Sequence, residues 1–286
     1  MITYEFRKSN RSLLAAYAVR LLLEHLREIT QFHSVGNCFP YGPKTPKPKL
    51  AEEWLAKTPG LTGRCGHRNA CPVCARVHEA KMRKRFAYAF DQYIAGSCTP
   101  WWQTLEAGFD VSLEARQRYE VLNRLWVRVL NSRRIKRARA ALGVAYMRVT
   151  EETLINGVWT PHFHALWMFP RHVSEVEVVA FIGEFNSKWR NLQSKTLGLL
   201  PSIRLLHSDS LDSNTVPIMQ YLFKSFRVEI DEEGQFSKQG MKTPLDYLIS
   251  AVMSGDAYHL EIWQAYEIAS SGIRRYIFSR NWLDAY

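Results

Sequence analysis

The segment WTPHFHALWMF, Trp159 to Phe169, sets His162 and His164 one residue apart within a run of large apolar side chains. In an extended strand successive side chains point to opposite faces. The two imidazoles therefore share one face, and Phe163, Ala165, Trp167 and Phe169 share the other. Neutral imidazoles so placed can hold one divalent metal ion; the alternative is a pair of surface histidines beside a core face. A second group is Tyr221 and Lys224 in MQYLFKSF, three residues apart and so on one face of a helix. A tyrosine becomes a nucleophile when a metal or a cation stabilises its phenolate. Lys224 can supply that charge or neutralise a phosphate. The third group is Cys65, Cys71 and Cys74, spaced C-x5-C-x2-C. A structural zinc site takes four thiolate or imidazole ligands. Cys38, in GNCFP, is the first candidate for the fourth, with His67 and His78 as alternatives. A redox role fits the Cys-Pro-Val-Cys less well, because no strand precedes it and a third cysteine is close by.

Two basic runs complete the chemistry. Lys81, Arg83, Lys84 and Arg85 follow the cysteines directly and form a candidate phosphate-contacting face. Arg133, Arg134, Lys136, Arg137 and Arg139 form a second run. Each run is equally readable as an ordinary solvated helix face.

The elements that must position these groups are legible in outline. Apolar periodicity predicts helices over 10–32 and Ser112–Leu142, the latter stopped by Gly143, and the basic run Val77–Tyr93 also reads as helical. Five prolines between 38 and 64 predict a loop-like stretch. Strands are expected at Val144–Thr150, His162–Phe169 and Ile203–His207. A capping-box pattern, Ser174 to Glu177, opens a helix carrying Val179, Ile182, Phe185 and Trp189. A short helix is expected at Pro217–Phe226, and the last 45 or so residues read as mostly helical. The division drawn from this is an extension over 1–60, a cysteine cluster with a basic helix over 61–100, a core over 101–230 and a helical tail over 231–286.

Composition narrows the function classes. The chain has 286 residues, 47% of them hydrophobic and 23% charged, enough for a real core. Thirty-eight Lys and Arg against 27 Asp and Glu give a net charge of +11, which favours a polyanionic partner, nucleic acid ahead of membrane. Five cysteines, an odd number in a chain this long, argue against a secreted disulfide scaffold. No segment approaches the ~20 apolar residues of a membrane span, and no signal peptide is apparent. A reducing cytoplasm is the expected location.

In order, these motifs are Cys-Pro-x-Cys followed by basic residues, then Pro-His-hydrophobic-His on a strand, then Tyr-x-x-Lys. That order resembles the rolling-circle replication initiators of small plasmids, in the His-hydrophobic-His endonuclease superfamily. The tail is similar too, at Thr243–Pro244, Gly255–Asp256, Leu260 to Tyr266, and Gly272 to Arg280. The resemblance runs from about residue 60 to the end. It implies an α+β fold in which an antiparallel sheet carries helices on one face and leaves the histidine-bearing face open to DNA. It implies that His162 and His164 hold Mg²⁺ or Mn²⁺, that Tyr221 forms a 5′-phosphotyrosine link to single-stranded origin DNA, and that Lys224 assists. It also implies a host helicase and polymerase as partners, and no membrane.

This chain departs from the family's pattern at three positions. Arg148 stands where relatives often carry a carboxylate on the preceding strand, which leaves Glu151 or Glu152 as the substitute; Glu151 is the expected third ligand. Pro217 stands where some relatives carry a glutamate that activates water, with Asp209 and Asp212 the nearby acids. Thr160 replaces a frequent histidine. Two other readings fit the same motifs: a non-catalytic, zinc-dependent DNA-binding regulator, and a phage replication protein or transposase of the same chemistry.

Overall fold

The structure is a computed structural model and describes residues 29–31, 65–197, 222–223 and 243–284. These fall into two compact units, one formed by 29–31, 65–79 and 243–272, the other by 80–197, 222–223 and 273–284. The helix expected over 10–32 lies largely outside the described residues, and the strand at Ile203–His207 lies wholly outside them. So do Cys38, Asp209, Asp212, Pro217, Tyr221 and Lys224.

The second unit is built on a four-stranded antiparallel sheet: β1 (Thr99–Leu105), β2 (Ala145–Ile155), β3 (Val158–Phe169) and β4 (Tyr276–Phe278), in the order β1-β3-β2-β4. The histidine strand β3 is therefore interior. β2 and β3 form a hairpin closed by Asn156 (φ 50°) and Gly157 (φ 76°). Two successive positive φ values are what a tight type I′ turn requires, and Asn-Gly is its preferred sequence. β1 and β4 were not anticipated from the sequence.

The longer helices of this unit are α1 (Pro72–Ala95), α2 (Ala115–Asn131), α3 (Arg133–Leu142) and α4 (Glu175–Leu197). α1 begins at Pro72, inside the Cys-Pro-Val-Cys, where a proline at the first helical position loses no hydrogen bond; the unit boundary falls within it, after Glu79. The single helix expected over Ser112–Leu142 is two. Ser132 is extended (φ −61°, ψ 139°), and its hydroxyl donates to the Val129 carbonyl at 2.7 Å, which ends α2 and starts α3. Gly143 ends α3 in the left-handed conformation, as expected. The Ser174–Glu177 capping box is formed: Ser174 N–H donates to the Glu177 carboxylate at 2.9 Å, and Glu177 N–H to Ser174 Oγ at 3.4 Å.

The two faces of the sheet bury different clusters. On one, Phe163, Ala165, Trp167 and Phe169 pack against Leu122, Leu125 and Trp126 of α2, Ile135 of α3, and Phe181, Phe185 and Trp189 of α4. Edge-on and tilted contacts join Trp126, Phe163, Trp167 and Phe185, with ring centroids 5.1 to 5.9 Å apart. Such pairs add about 0.5–1.5 kcal/mol each beyond area burial. On the other face, Leu166, Met168, Met147 and Val149 pack against Met82, Phe86, Ala89 and Phe90 of α1, together with Leu222, Phe223, Tyr276 and Trp282. Helices thus cover both faces. The expectation of helices on one face, with the histidine face open, is corrected. The basic run of α1 hides an apolar stripe at helical spacing, Met82, Phe86, Ala89, Phe90, and that stripe must be buried.

The first unit contains α5 (Pro244–Ser254) and α6 (Ala257–Ser270). Thr243 caps α5 with a reciprocal box to Asp246, Pro244 occupies its first turn, Gly255 ends it left-handed, and Asp256 caps α6. Trp263 and Tyr266 are buried on α6. The fully buried Glu267 accepts from the Thr30 hydroxyl and from Gln31 N–H, and burial pushes its carboxyl up. In the second unit, α7 (Arg280–Asp284) follows Ser279, which exchanges hydrogen bonds with the Tyr146 backbone on β2. Among the described residues no helix is long and apolar enough to cross a membrane.

Candidate metal centres

The register of the β2–β3 hairpin sets Glu151 directly opposite His162, and Val149 opposite His164. Directly opposed residues project to the same face, so Glu151 and the two histidines converge. His164 Nε2 lies 2.7 Å from Glu151 Oε2, and His162 Nε2 lies 3.6 Å from the same oxygen. The imidazole rings stand nearly perpendicular, 88°, with centroids 4.9 Å apart. The three donor atoms all lie within 4.8 Å of one another, close enough to share one ion. His164 is buried, while His162 and Glu151 are half-buried and keep part of their surface exposed.

Two residues that sequence reasoning missed support His164 from β1. Thr104 lies opposite it, with Oγ1 3.0 Å from Nδ1. A proton on Nδ1 shared with this hydroxyl leaves the Nε2 lone pair for a metal. Such outer partners fix both tautomer and ring orientation. Trp102 stacks on the imidazole, with centroids 5.1 Å apart at 27°. The signal was there: Trp102 and Thr104 are two apart in TPWWQTL, but it is readable only once that segment is taken as a strand. Thr104→Val is expected to weaken Mn²⁺ binding about 10- to 100-fold. Titration calorimetry checks it, and unchanged affinity would remove Thr104 from the site.

Neither Arg148 nor Glu152 belongs to this cluster. Both alternate to the opposite face of β2. The Arg148 guanidinium lies 3.8 Å over the Phe163 ring and donates to Asn123 Oδ1 at 3.0 Å. Burial pushes its pKa down to about 9, which leaves it charged at neutral pH. Glu152 accepts from Arg275 Nη2 at 2.9 Å. The carboxylate that the geometry sets beside the two histidines is therefore Glu151, not Glu152.

In the first unit, Cys65, Cys71 and Cys74 bring three sulfurs within 4.8 Å of one another, with Cys65 and Cys74 Sγ 3.7 Å apart and no disulfide. Tetrahedral zinc with Zn–S near 2.3 Å separates its thiolates by about 3.8 Å, so the spacing fits. Cys71 N–H donates to the His67 carbonyl at 3.1 Å, which folds the CGHRNAC loop back on itself. Neither His67 nor His78 joins the three sulfurs, and Cys38 lies outside the described residues. Elemental analysis of freshly purified protein is expected to find one zinc per chain, reduced to a trace in Cys71→Ser; a metal-free parent would remove the site.

The basic run of α1 divides by exposure. Lys81 and Lys84, three apart, are exposed, as is Tyr88 one turn on; Arg83 and Arg85 are half-buried. The Arg85 guanidinium sits 5.3 Å over the ring of Phe278 on β4.

Fold and site together define an α+β protein with a group of three cysteines and a separate group of two histidines and a glutamate, each able to hold a metal ion. No family model, no curated protein and no solved structure matches the chain.

Proposed function

We propose that the protein is a metal-dependent, single-strand DNA nickase and strand transferase acting as a rolling-circle replication initiator. The observation that supports this most is where the chain neighbours of Tyr221 lie. Leu222 and Phe223 are buried in the cluster on the histidine-bearing side of the sheet, Phe223 stacking on Tyr276 with centroids 5.2 Å apart. In sequence these two residues directly follow Tyr221, the proposed nucleophile.

The ion bound by His162, His164 and Glu151 would supply Lewis-acid polarisation of the scissile phosphate. Two imidazoles with one carboxylate suit Mn²⁺ better than Mg²⁺, which prefers oxygen ligands throughout. The phenol oxygen of Tyr221 attacks phosphorus, the P–O3′ bond breaks, and the departing 3′-oxygen takes a proton to become the priming hydroxyl. The phosphotyrosine keeps the energy of the broken ester, so a later 3′-hydroxyl can rejoin the strand. Lys224 neutralises phosphate charge or stabilises the phenolate. The exposed Lys81 and Lys84, with Tyr88 beside them, offer the cationic and aromatic contacts by which unpaired DNA is held. Host helicase and polymerase would then extend the freed end.

The test is covalent trapping. Labelled single-stranded oligonucleotides from around the protein's own gene are incubated with the protein and Mn²⁺, then run on a denaturing gel beside Tyr221→Phe. A metal-dependent adduct absent from the variant is expected. An adduct that persists in the variant moves the nucleophile elsewhere. No adduct despite tight DNA binding points instead to a non-catalytic regulator organised by the cysteine site.

A further inference from the structure

The basic run of α3 is not used by the chemistry above. α3 turns Ile135 inward, fully buried in the cluster with Trp126 and Phe185. It therefore belongs to the layer on the side of the sheet opposite His162 and His164. Its outer surface carries Arg133, Lys136 and Arg137, all exposed. Spaced i, i+3 and i+4, they line one face about 5–6 Å from neighbour to neighbour. Arg124 and Arg128 of α2 are exposed as well, and from Asn123 to Thr150 the chain has no acidic residue. None of these five forms an ion pair among the described residues, whereas Arg134 pairs with Glu184 at 3.5 Å and Arg139 lies over the Tyr146 ring.

The sequence of α3 also runs against helix electrostatics. The positive end of a helix favours acidic side chains, yet Arg133 and Arg134 occupy its first two positions, with no acid in the first turn and no side-chain cap. Ordinary solvent-facing helices distribute both signs; this one concentrates positive charge on an exposed face, and the matching partner is a polyanion.

We propose that the outer face of α3, centred on Arg133, Lys136 and Arg137, binds the phosphate backbone of duplex DNA at a place distinct from the histidine site. Naming the polyanion as DNA rests on the nickase reading. The sheet and a helix about 10 Å in diameter separate this face from His162 and His164, so one unpaired segment cannot engage both by a direct path. A duplex flanking the unpaired nick region can lie along α3 while the strand to be cut reaches the other side. The rigid row of cations contacts backbone rather than bases, so it anchors the duplex without reading its sequence.

The experiment compares the full-length protein with the triple variant Arg133→Gln, Lys136→Gln, Arg137→Gln, whose positions are exposed and whose fold is checked by circular dichroism and thermal midpoint. Fluorescence anisotropy measures binding to a DNA duplex of about 25 base pairs, long enough to span the row of cations at ~1.7 Å of axis per charge, across a salt series; covalent trapping uses a short single strand. The variant is expected to lose at least tenfold in duplex affinity. Its slope of log K against log salt should flatten by about two to three, since each phosphate contact contributes roughly 0.9. Adduct formation on the short single strand should stay within twofold of the parent. Unchanged duplex affinity and slope would overturn the proposal. So would an equal loss of adduct formation, which would merge this face with the strand site, and so would tighter, patch-dependent binding of duplex RNA. A parent that binds duplex through these residues yet forms no adduct with any oligonucleotide would retain this surface and remove the nickase reading, so the two failures are distinguishable.

Discussion

His164→Ala is expected to abolish adduct formation and to weaken Mn²⁺ binding by more than about 100-fold. Changing an outer partner of a metal ligand typically reduces affinity 10- to 100-fold, and losing the ligand itself must exceed that. The deeper of the two imidazoles carries the larger share because its surroundings are the more determined. Thr104 holds its Nδ1, Trp102 stacks on its ring, and Glu151 approaches its Nε2 at 2.7 Å. The variant also takes the imidazole away from the buried Thr104 hydroxyl, at a stability cost of about 1–3 kcal/mol, so binding must be measured well below its unfolding temperature. Glu151→Gln provides the matched comparison: it keeps the shape, removes the charge, and should reduce Mn²⁺ affinity while leaving both imidazoles in place. Duplex DNA binding should be largely spared in both variants. If His164→Ala bound Mn²⁺ as the parent does, the cluster would be no more than two histidines beside a carboxylate.

The histidine pair was legible because strand periodicity is local: one intervening residue places both rings on one face whatever the rest of the chain does. The choice of Glu151 over its neighbour Glu152 was legible in principle as well. Asn156-Gly157 forces a two-residue turn, and counting outward from it pairs Ile155 with Val158 and arrives at Glu151 opposite His162. A slip of one residue would have brought Glu152 to the histidine face instead. What could not be read locally were β1 and β4, each held by pairing partners far away in sequence, and with β1 went Thr104 and Trp102. The covering of the histidine face was hidden for a different reason. The basic residues of α1 dominate its sequence, while Met82, Phe86 and Phe90, which decide where it packs, are ordinary apolar positions between them. The tail motifs singled out in the sequence have structural work here. Thr243, Pro244, Gly255 and Asp256 begin and end helices, and Ser279 ties the last helix to β2. Those residues act on the folding of the tail, whereas the cluster of His162, His164 and Glu151 is the one that could hold an ion.

Arg275→Ala is expected to cost about 3–5 kcal/mol of stability, the usual consequence of stripping one partner from a buried ion pair, and to lower the thermal midpoint by roughly 6–20 °C. Arg275 Nη2 meets Glu152 Oε2 at 2.9 Å with side chains only 3% and 4% exposed, and the Arg275 carbonyl accepts from Thr150 N–H at 2.8 Å, so the pair fastens the chain entering β4 onto β2. Burial pushes the Glu152 carboxyl up, and the Arg275 guanidinium is the chief influence opposing it. Removing the arginine therefore raises that carboxyl further. A carboxyl whose folded value exceeds its unfolded value, near 4.3, contributes stability that is fully present below the unfolded value and is lost as pH rises through the folded one. The deficit of Arg275→Ala should accordingly be smallest in acid and grow toward neutral pH, as followed by urea unfolding monitored through tryptophan fluorescence. Adding Glu152→Leu removes the stranded carboxylate and should recover much of the loss, because an apolar pair of similar volume replaces a buried ion pair at little cost. A deficit below about 1 kcal/mol, or one independent of pH, would mean that Glu152 finds water or another donor once Arg275 is gone. Mn²⁺ affinity should move by no more than a few-fold in Arg275→Ala, since Glu152 projects away from His162 and His164; a larger change would show that the two faces of β2 are coupled through the backbone between Glu151 and Glu152.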